Sequence, residues 1–440
     1  MQPTKIDLLI NARWIIPVVP EAAVFENCAL AVDRQRIVGI YPQAEAKLKF
    51  IADSVVNLAD HILMPGLVNA HGHAAMSLLR GYADDLPLKP WLEEHIWPVE
   101  GRMMSEQFVA DGTDLAIAEM ITTGTTCFAD MYFFADRIAE QVQRSGIRSQ
   151  VGFTVFDFAT AGGKDPDDYI HKGLRLRDTY KGNDLIKIAC APHAPYTVGD
   201  ETLRRIATYA NELDMAVHIH CHETAQEVSD SLQLYSCRPL QRLEDLGVLL
   251  PQTQLVHMTQ IGDNDIRLIQ ENNCHVVHCP ESNLKLASGF CPVAELMEAG
   301  INVALGTDGA ASNNDLDLFA ELKTAALLAK GVAGDAAALD AHAALRMATI
   351  NGARALGWQD EIGSLEAGKS ADMIAVEVSS LSQKPLYNPA SQLVYCNAGS
   401  QVTHSWVAGK ALLTNRTLTT LNKQNLIQRA EQWRNQISPN

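Results

Sequence analysis

The chain has 440 residues, 47% of them hydrophobic, and carries 52 acidic against 35 basic side chains for a formal charge of −17. That composition suits a globular protein with a substantial core and excludes, as expected partners, nucleic-acid phosphates and anionic membrane surfaces. Nine scattered cysteines without a CxxC pair, an N-terminus without the layout of a secretory signal, and no run approaching the ~20 apolar residues of a membrane span lead us to expect a soluble cytoplasmic protein.

The first sixty residues read as short strands, at Leu8–Ile10, Trp14–Ile16, Cys28–Val32 and Arg36–Ile40, separated by turn residues and without a helical period. From there, apolar strands alternate with helical stretches. Helices are expected at Glu106–Thr123, Ala135–Ser145, Asp200–Leu213, Pro239–Leu246 and Ala341–Leu356. Strands are expected at Arg148–Phe156, Ile186–Ala191, Ala216–His220, Gln254–His257 and His275–His278, with Met64–His73 and Val303–Asp308 as the first and last of the series. This alternation predicts a parallel sheet with crossover helices, and the length admits a (β/α)8 barrel of ~250 residues plus a smaller domain. The β texture returns at Ala371–Val376 and Val402–Lys410, so the two chain ends are expected to pair in one small β-sandwich. The expected organisation is a β-sandwich half at 1–60, a metal-dependent hydrolase barrel at 61–365, the second sandwich half at 366–420 and a C-terminal helix at 421–440.

Metal-type ligands recur at the ends of these apolar runs: His71 and His73, His220, His257 and Asp308. Chemistry in a (β/α)8 barrel gathers at the C-terminal ends of its strands, so the pattern points to a metal hydrolase. Residues two apart on a strand share a face, which lets His71 and His73 reach one ion. The same period puts His218, His220 and His222 on one face, and spacing alone does not choose among them. An HExxH reading from His222 fails because Gln226 occupies the second histidine position, and the HxE…PCxxC signature of the Cys-rich zinc deaminases is missing. Asp308 in Thr307-Asp308-Gly309, His193 after Ala191-Pro192 and His278 before Cys279-Pro280 each read in isolation as turn or structural residues. Gly363–Ser370 matches the P-loop pattern letter for letter. A P-loop follows a strand and opens a helix, whereas here a helical segment precedes and a strand follows, so nucleotide binding is not expected.

Taken in order, the set resembles the amidohydrolase superfamily over nearly the whole chain. Pro65–His73 looks like its first-strand signature, and Gly363–Asp372 looks like its return to the sandwich domain. Within the superfamily, Trp97–Glu100, His193–Tyr196, His220–Thr224, Pro280–Leu286 and Gly306–Asn314 resemble the 5-methylthioadenosine/S-adenosylhomocysteine deaminases. The resemblance implies that His71, His73, His220 and Asp308 hold one divalent ion, with zinc expected, and that Glu223 is catalytic. No lysine stands at the strand end before His193, where binuclear members carry a carbamylated one, so a mononuclear site is implied. It also implies hydrolytic deamination of an adenine ring. Water activated by the ion attacks C6, His257 orients that nucleophile, Glu223 protonates N1, and Asp308 takes the water proton and passes it to the leaving amine. Glu100 is placed on the ribose hydroxyls and His193 against the purine nucleoside, with Glu223 and Asp308 also contacting substrate.

Members that accept S-adenosylhomocysteine can hold its carboxylate with two arginines. Arg148 reads as one of them, while Gly162-Gly163-Lys164 offers no second arginine, only Lys164 as a point charge. The expected substrate is therefore 5'-methylthioadenosine in preference to S-adenosylhomocysteine or adenosine. The competing readings are a deaminase of a free purine, pyrimidine or triazine-type base, and a non-catalytic scaffold. A homo-oligomer is expected only on the general habit of cytoplasmic enzymes.

Overall fold

Alternating apolar residues at the N-terminus build β1 (Thr4–Ile15), β2 (Phe25–Asp33), β3 (Arg36–Pro42) and β4 (Phe50–Pro65) of a computed structural model that describes residues 2–438. The two short strands expected at Leu8–Ile10 and Trp14–Ile16 are one continuous strand. Its register shifts between Ala12 and Trp14, and Asn11 Nδ2 donates across the ladder to Asn57 Oδ1 (2.8 Å). A polar residue with a cross-strand partner need not end a strand.

The barrel strands follow: β5 (Leu67–Asn69), β6 (Thr125–Tyr132), β7 (Arg148–Val155), β8 (Ile186–Pro192), β9 (Val217–Cys221), β10 (Thr253–His257), β11 (His275–His278) and β12 (Asn302–Leu305). They pair in sequential order and every pair is parallel. Ala70 N–H donates to the Leu305 carbonyl (2.8 Å) and Asp308 N–H to that of His71 (3.1 Å), bridging the last strand to the first. Gly306 makes this closure possible, because a Cβ there would sit 2.7 Å from the Cβ of His71. β6 is buried along its whole length, and such a strand, with no polar face, is hard to find by alternation.

The chain returns as β13 (Met373–Glu377), β14 (Val402–Val407), β15 (Lys410–Thr414) and β16 (Thr417–Leu418). β13 runs antiparallel to β4, so both chain ends share one mixed eight-stranded sheet of order β16-β15-β14-β13-β4-β1-β2-β3. Leu8, Ile10, Leu30, Leu63, Met373 and Trp406 from both ends pack in one core.

The helices Glu106–Thr123, Ala135–Ser145 and Asp200–Leu213 fall at their expected bounds. The expected helix Ala341–Leu356 is two, Ala341–Met347 and Ile350–Ala355, interrupted at Thr349, whose hydroxyl bonds back to the Leu345 carbonyl (2.6 Å). The last helix, Lys423–Ile437, docks on Glu106–Thr123 through Arg429 and Trp433, which reach Asp111 and Asp114. In the P-loop-like segment, Lys369 Nζ is spent on the Gln359 carbonyl (2.6 Å) and Ser364 Oγ (2.7 Å), and β13 follows it as the order of elements predicts. No helix among the described residues is long and apolar enough to cross a membrane.

Candidate active site

The C-terminal ends of five barrel strands supply the site. His71 and His73 follow β5, His193 follows β8, His220 lies in β9 with Glu223 just beyond, His257 ends β10, and Asp308 follows β12. Glu100 comes from the helix Trp97–Met103. Donor atoms of His71, His73 and Asp308 lie within 4.8 Å of one another, as do those of His71, His220 and His257. Asp308 Oδ1 stands 3.4 Å from His71 Nε2 and 3.3 Å from His73 Nε2. Two of these residues, His257 (φ 77°) and Asp308 (φ 62°), sit in the left-handed region, a strained backbone of the kind held at functional sites.

Each imidazole is oriented from behind. His73 Nδ1 faces the Met131 carbonyl, and His220 Nδ1 faces the His193 carbonyl (2.7 Å). A carbonyl only accepts, so both rings carry their proton on Nδ1 and turn an Nε2 lone pair inward. His71 Nε2 is fully buried and has no hydrogen-bond partner. An unmet buried nitrogen is costly, and a cation among three imidazoles and a carboxylate would satisfy it. The donor set therefore fits a divalent ion.

The three histidines of His218-Ile219-His220-Cys221-His222 differ in what they have left. His218 uses both nitrogens, on Gln254 Oε1 and on His71 Nδ1. His222 also uses both, on the Gln260 carbonyl and the Leu240 N–H. Only His220 keeps a nitrogen without a protein partner.

The carboxylates divide by environment. Burial works against charge on Asp308, but Ser282 Oγ (2.6 Å) and Gly309 N–H (2.7 Å) donate to its carboxylate, and a cation shared with His71 and His73 would keep it ionised. Burial pushes the Glu223 carboxyl up, with nearby Asp308 adding to the rise and His257 opposing it at 3.7 Å. One acid is thus kept ionised and its neighbour biased toward the protonated form. Burial also raises Glu100 to about 7, against the phenol of Tyr132, which donates to it. Burial lowers His193 to about 3, so its imidazole is neutral, stacked on Phe156 with ring centroids 4.9 Å apart.

One cavity is lined by His73, Glu100, His193, His220, Glu223, His257 and Asp308 together with a largely apolar wall that includes Met76, Leu92, Trp97, Phe133, Phe156 and Leu286. His278 lies outside this lining and is buried, but its Nδ1 has no hydrogen-bond partner among the described residues. Arg148 requires correction. It begins β7, at the opposite end of the barrel from the site, and is 3% exposed. Its guanidinium pairs with Asp372 (Nε to Oδ2, 2.9 Å) and is not available to a substrate carboxylate. Lys164 does not line the cavity either. The lysine of β8, Lys187, also stands at the far end and donates to the Gly357 carbonyl.

The structure adds residues that the sequence reading passed over. Glu227 accepts the N–H groups of His222 (2.9 Å) and Glu223 (2.7 Å) and so fixes the backbone that aims Glu223. Its sequence signal was present: Thr224-x-x-Glu227 opens the helix Ala225–Tyr235 as a capping pattern. Asn283 orients His257 (Nδ1 to Oδ1, 2.9 Å), Ser282 holds Asp308, and Tyr132 holds Glu100; the first two lie in the motif Pro280–Leu286, whose sequence assigned no individual role to either, and Tyr132 comes from a distant element without a local signature.

Comparison with known proteins agrees with this geometry. The amidohydrolase family model matches residues 62–412. A protein named 5-methylthioadenosine/S-adenosylhomocysteine deaminase from Teredinibacter turnerae is 55% identical over 99% of this chain and 98% of its own length. A 5'-deoxyadenosine deaminase from Methanosarcina acetivorans is 39% identical over 96% of each chain. The crystal structure of an adenosine deaminase from Xanthomonas campestris with bound zinc superposes with a TM-score of 0.98 at 51% identity, covering 99% of both chains. With its barrel, its strand-end ligands and these relatives, the chain belongs to the amidohydrolase family and is a metal-dependent hydrolytic deaminase.

Proposed function

We propose that this enzyme converts 5'-methylthioadenosine to its inosine analogue and ammonia, using one zinc ion held by His71, His73, His220 and Asp308. The observation that carries the reading is a single cavity in which Glu223, Asp308 and His257 face Glu100 and His193. When bound, the ion supplies a water molecule acidic enough to act as the nucleophile at C6.

The chain's own residues do the rest. Asp308, kept ionised, takes the proton of that water and later gives it to the departing amine. Glu223, its carboxyl raised by burial, protonates N1 as charge builds on the ring. His257, held by Asn283, orients the attacking water. Glu100 accepts from the two ribose hydroxyls, and neutral His193 meets the nucleoside with its ring edge. We read 61–365 as the catalytic barrel and 1–60 with 366–420 as one supporting domain; the pairing of β13 with residues 61–65 of β4 supports a sheet shared by both chain ends and carries its first part on to Pro65.

The 5' preference follows from charge. No lysine or arginine lines the cavity. A homocysteine carboxylate would lose water there without gaining a cation, whereas a methylthio group meets apolar and aromatic walls. The test is ammonia release measured in parallel from 5'-methylthioadenosine, S-adenosylhomocysteine, adenosine, adenine and guanine. We expect the highest kcat/KM for methylthioadenosine, with the free bases far behind. Comparable values for S-adenosylhomocysteine would overturn the charge argument, and turnover of a free base alone would remove the ribose role of Glu100.

A further inference from the structure

His71 differs from His73 and His220 in how its ring is held. Their Nδ1 atoms meet backbone carbonyls directly, whereas His71 Nδ1 meets another side chain, His218 Nε2, at 2.7 Å. Two imidazole nitrogens in contact can share a hydrogen bond in either direction, so the pair alone does not decide which carries the proton.

The residues behind His218 decide it. Gln254 Nε2 is bonded to the Ala355 carbonyl (2.7 Å) and to Gln150 Oε1 (2.9 Å), and Gln150 Nε2 is bonded to the Leu356 carbonyl (3.3 Å). A backbone carbonyl cannot donate, so reversing the Gln254 amide would set oxygen against oxygen. Gln254 Oε1 therefore faces His218 Nδ1, which must carry its proton and donate. Neutral His218 is left with a bare Nε2, which accepts from His71 Nδ1–H. His71 is left with a bare Nε2, the buried nitrogen that has no protein partner. All of these side chains are buried.

We propose that His218 and Gln254 are positioning residues for the metal site. They form a one-way hydrogen-bond relay from the Ala355 and Leu356 carbonyls to His71 that keeps its Nε2 deprotonated and aimed at the ion. The inference rests on the reading of His71 as a metal ligand. It gives all three imidazoles the same ultimate anchor, a main-chain carbonyl, reached through two extra side chains in the case of His71. It also accounts for a polar column where barrel interiors ordinarily hold branched apolar side chains.

Two measurements test the relay. The first uses wild-type protein with 15N-labelled histidine and reads ring tautomers by NMR in the metal-free and zinc-loaded forms. Protons on Nδ1 of both His71 and His218 are expected; a proton on Nε2 of His218 overturns the relay. The second compares zinc dissociation constants, by chelator competition, in wild type, His218→Leu and Gln254→Leu, with thermal unfolding of each metal-free protein alongside. A loss of affinity of roughly 10- to 100-fold is expected in both variants, the range typical of ligand-orienting partners. Gln254→Leu is the sharper of the two, because Gln254 contacts neither the ion nor His71. Reduced unfolding temperature with unchanged zinc affinity would make the column merely structural and overturn the proposal. If neither variant folds, the tautomers of the wild-type protein decide alone. Wild-type protein that takes up no zinc overturns the metal reading and the relay with it, whereas normal wild-type uptake with unaffected variants overturns only the relay.

Discussion

The two ends of the barrel bury charged groups in opposite ways. At the C-terminal mouth, Asp308, Glu223, His71 and His220 are buried with lone pairs or protons still unspent, and their acidities are displaced from ordinary values. At the N-terminal floor, Arg148 is as deeply buried, but its guanidinium meets both oxygens of Asp372 (2.9 and 3.1 Å) and Ser370 Oγ (3.2 Å), and lies 4.7 Å over the Trp358 ring. Asp372 also accepts from Ala408 N–H (2.8 Å) and Ser370 Oγ (2.7 Å). Burial of a charge thus says little about function by itself. What separates a site from a structural joint is donor or acceptor capacity left over once the protein's own partners are counted.

Removing what the mouth is built to hold should have the largest effect. Exhaustive chelation is expected to abolish ammonia release and to lower the unfolding temperature, with both restored by zinc; full activity in protein shown to be metal-free would end the comparison. Next, Glu223→Gln should cut kcat by about 10²- to 10⁴-fold, the usual worth of a general acid, while zinc content stays at the wild-type level. Turnover at the wild-type rate would remove Glu223 from the chemistry.

Breaking the floor should do the reverse. Arg148→Ala strands Asp372 and should cost about 3–5 kcal/mol of unfolding free energy, measured by denaturant titration, with kcat/KM of the folded fraction unchanged. A selective loss of S-adenosylhomocysteine turnover in that variant would return Arg148 to the site.

Glu100→Ala should weaken kcat/KM for the ribosyl substrate by about 1.5–3 kcal/mol, or roughly 10- to 150-fold, and erase discrimination against the 2'-deoxy analogue. The smallest effect is one of pH. Glu100 is raised by burial to about 7 and must be ionised to accept two hydroxyl protons, so kcat/KM should climb as pH rises through that region. The limb should be missing in Glu100→Gln; its persistence there would assign it to another group.

Legibility tracked the range of the interactions involved. The helices Glu106–Thr123 and Asp200–Leu213 carry their own stop and start signals, and their bounds were readable. The long helix expected through Thr349 was not, because a side-chain bond to Leu345 competes with the helical ladder there. β6 was missed because a strand buried on both faces has no alternation to read. Arg148 was misread because the family resemblance was followed over strand direction: as the first residue of the expected strand Arg148–Phe156 it already lay at the end away from the mouth.

Apolar periodicity and ligands at strand ends, being local or regularly spaced, let the sequence by itself indicate the barrel and a β domain shared by the chain ends, and motifs such as Pro65–His73 and Gly363–Asp372 carried the family resemblance. Only the tertiary structure decided which of His218, His220 and His222 keeps a free nitrogen. The partners that consume the other two rings, His71, Gln254, Gln260 and Leu240, lie 18 to 147 residues away along the chain. Hydrogen-bond capacity is settled by contacts in space, and three histidines with the same spacing become different groups once those contacts form.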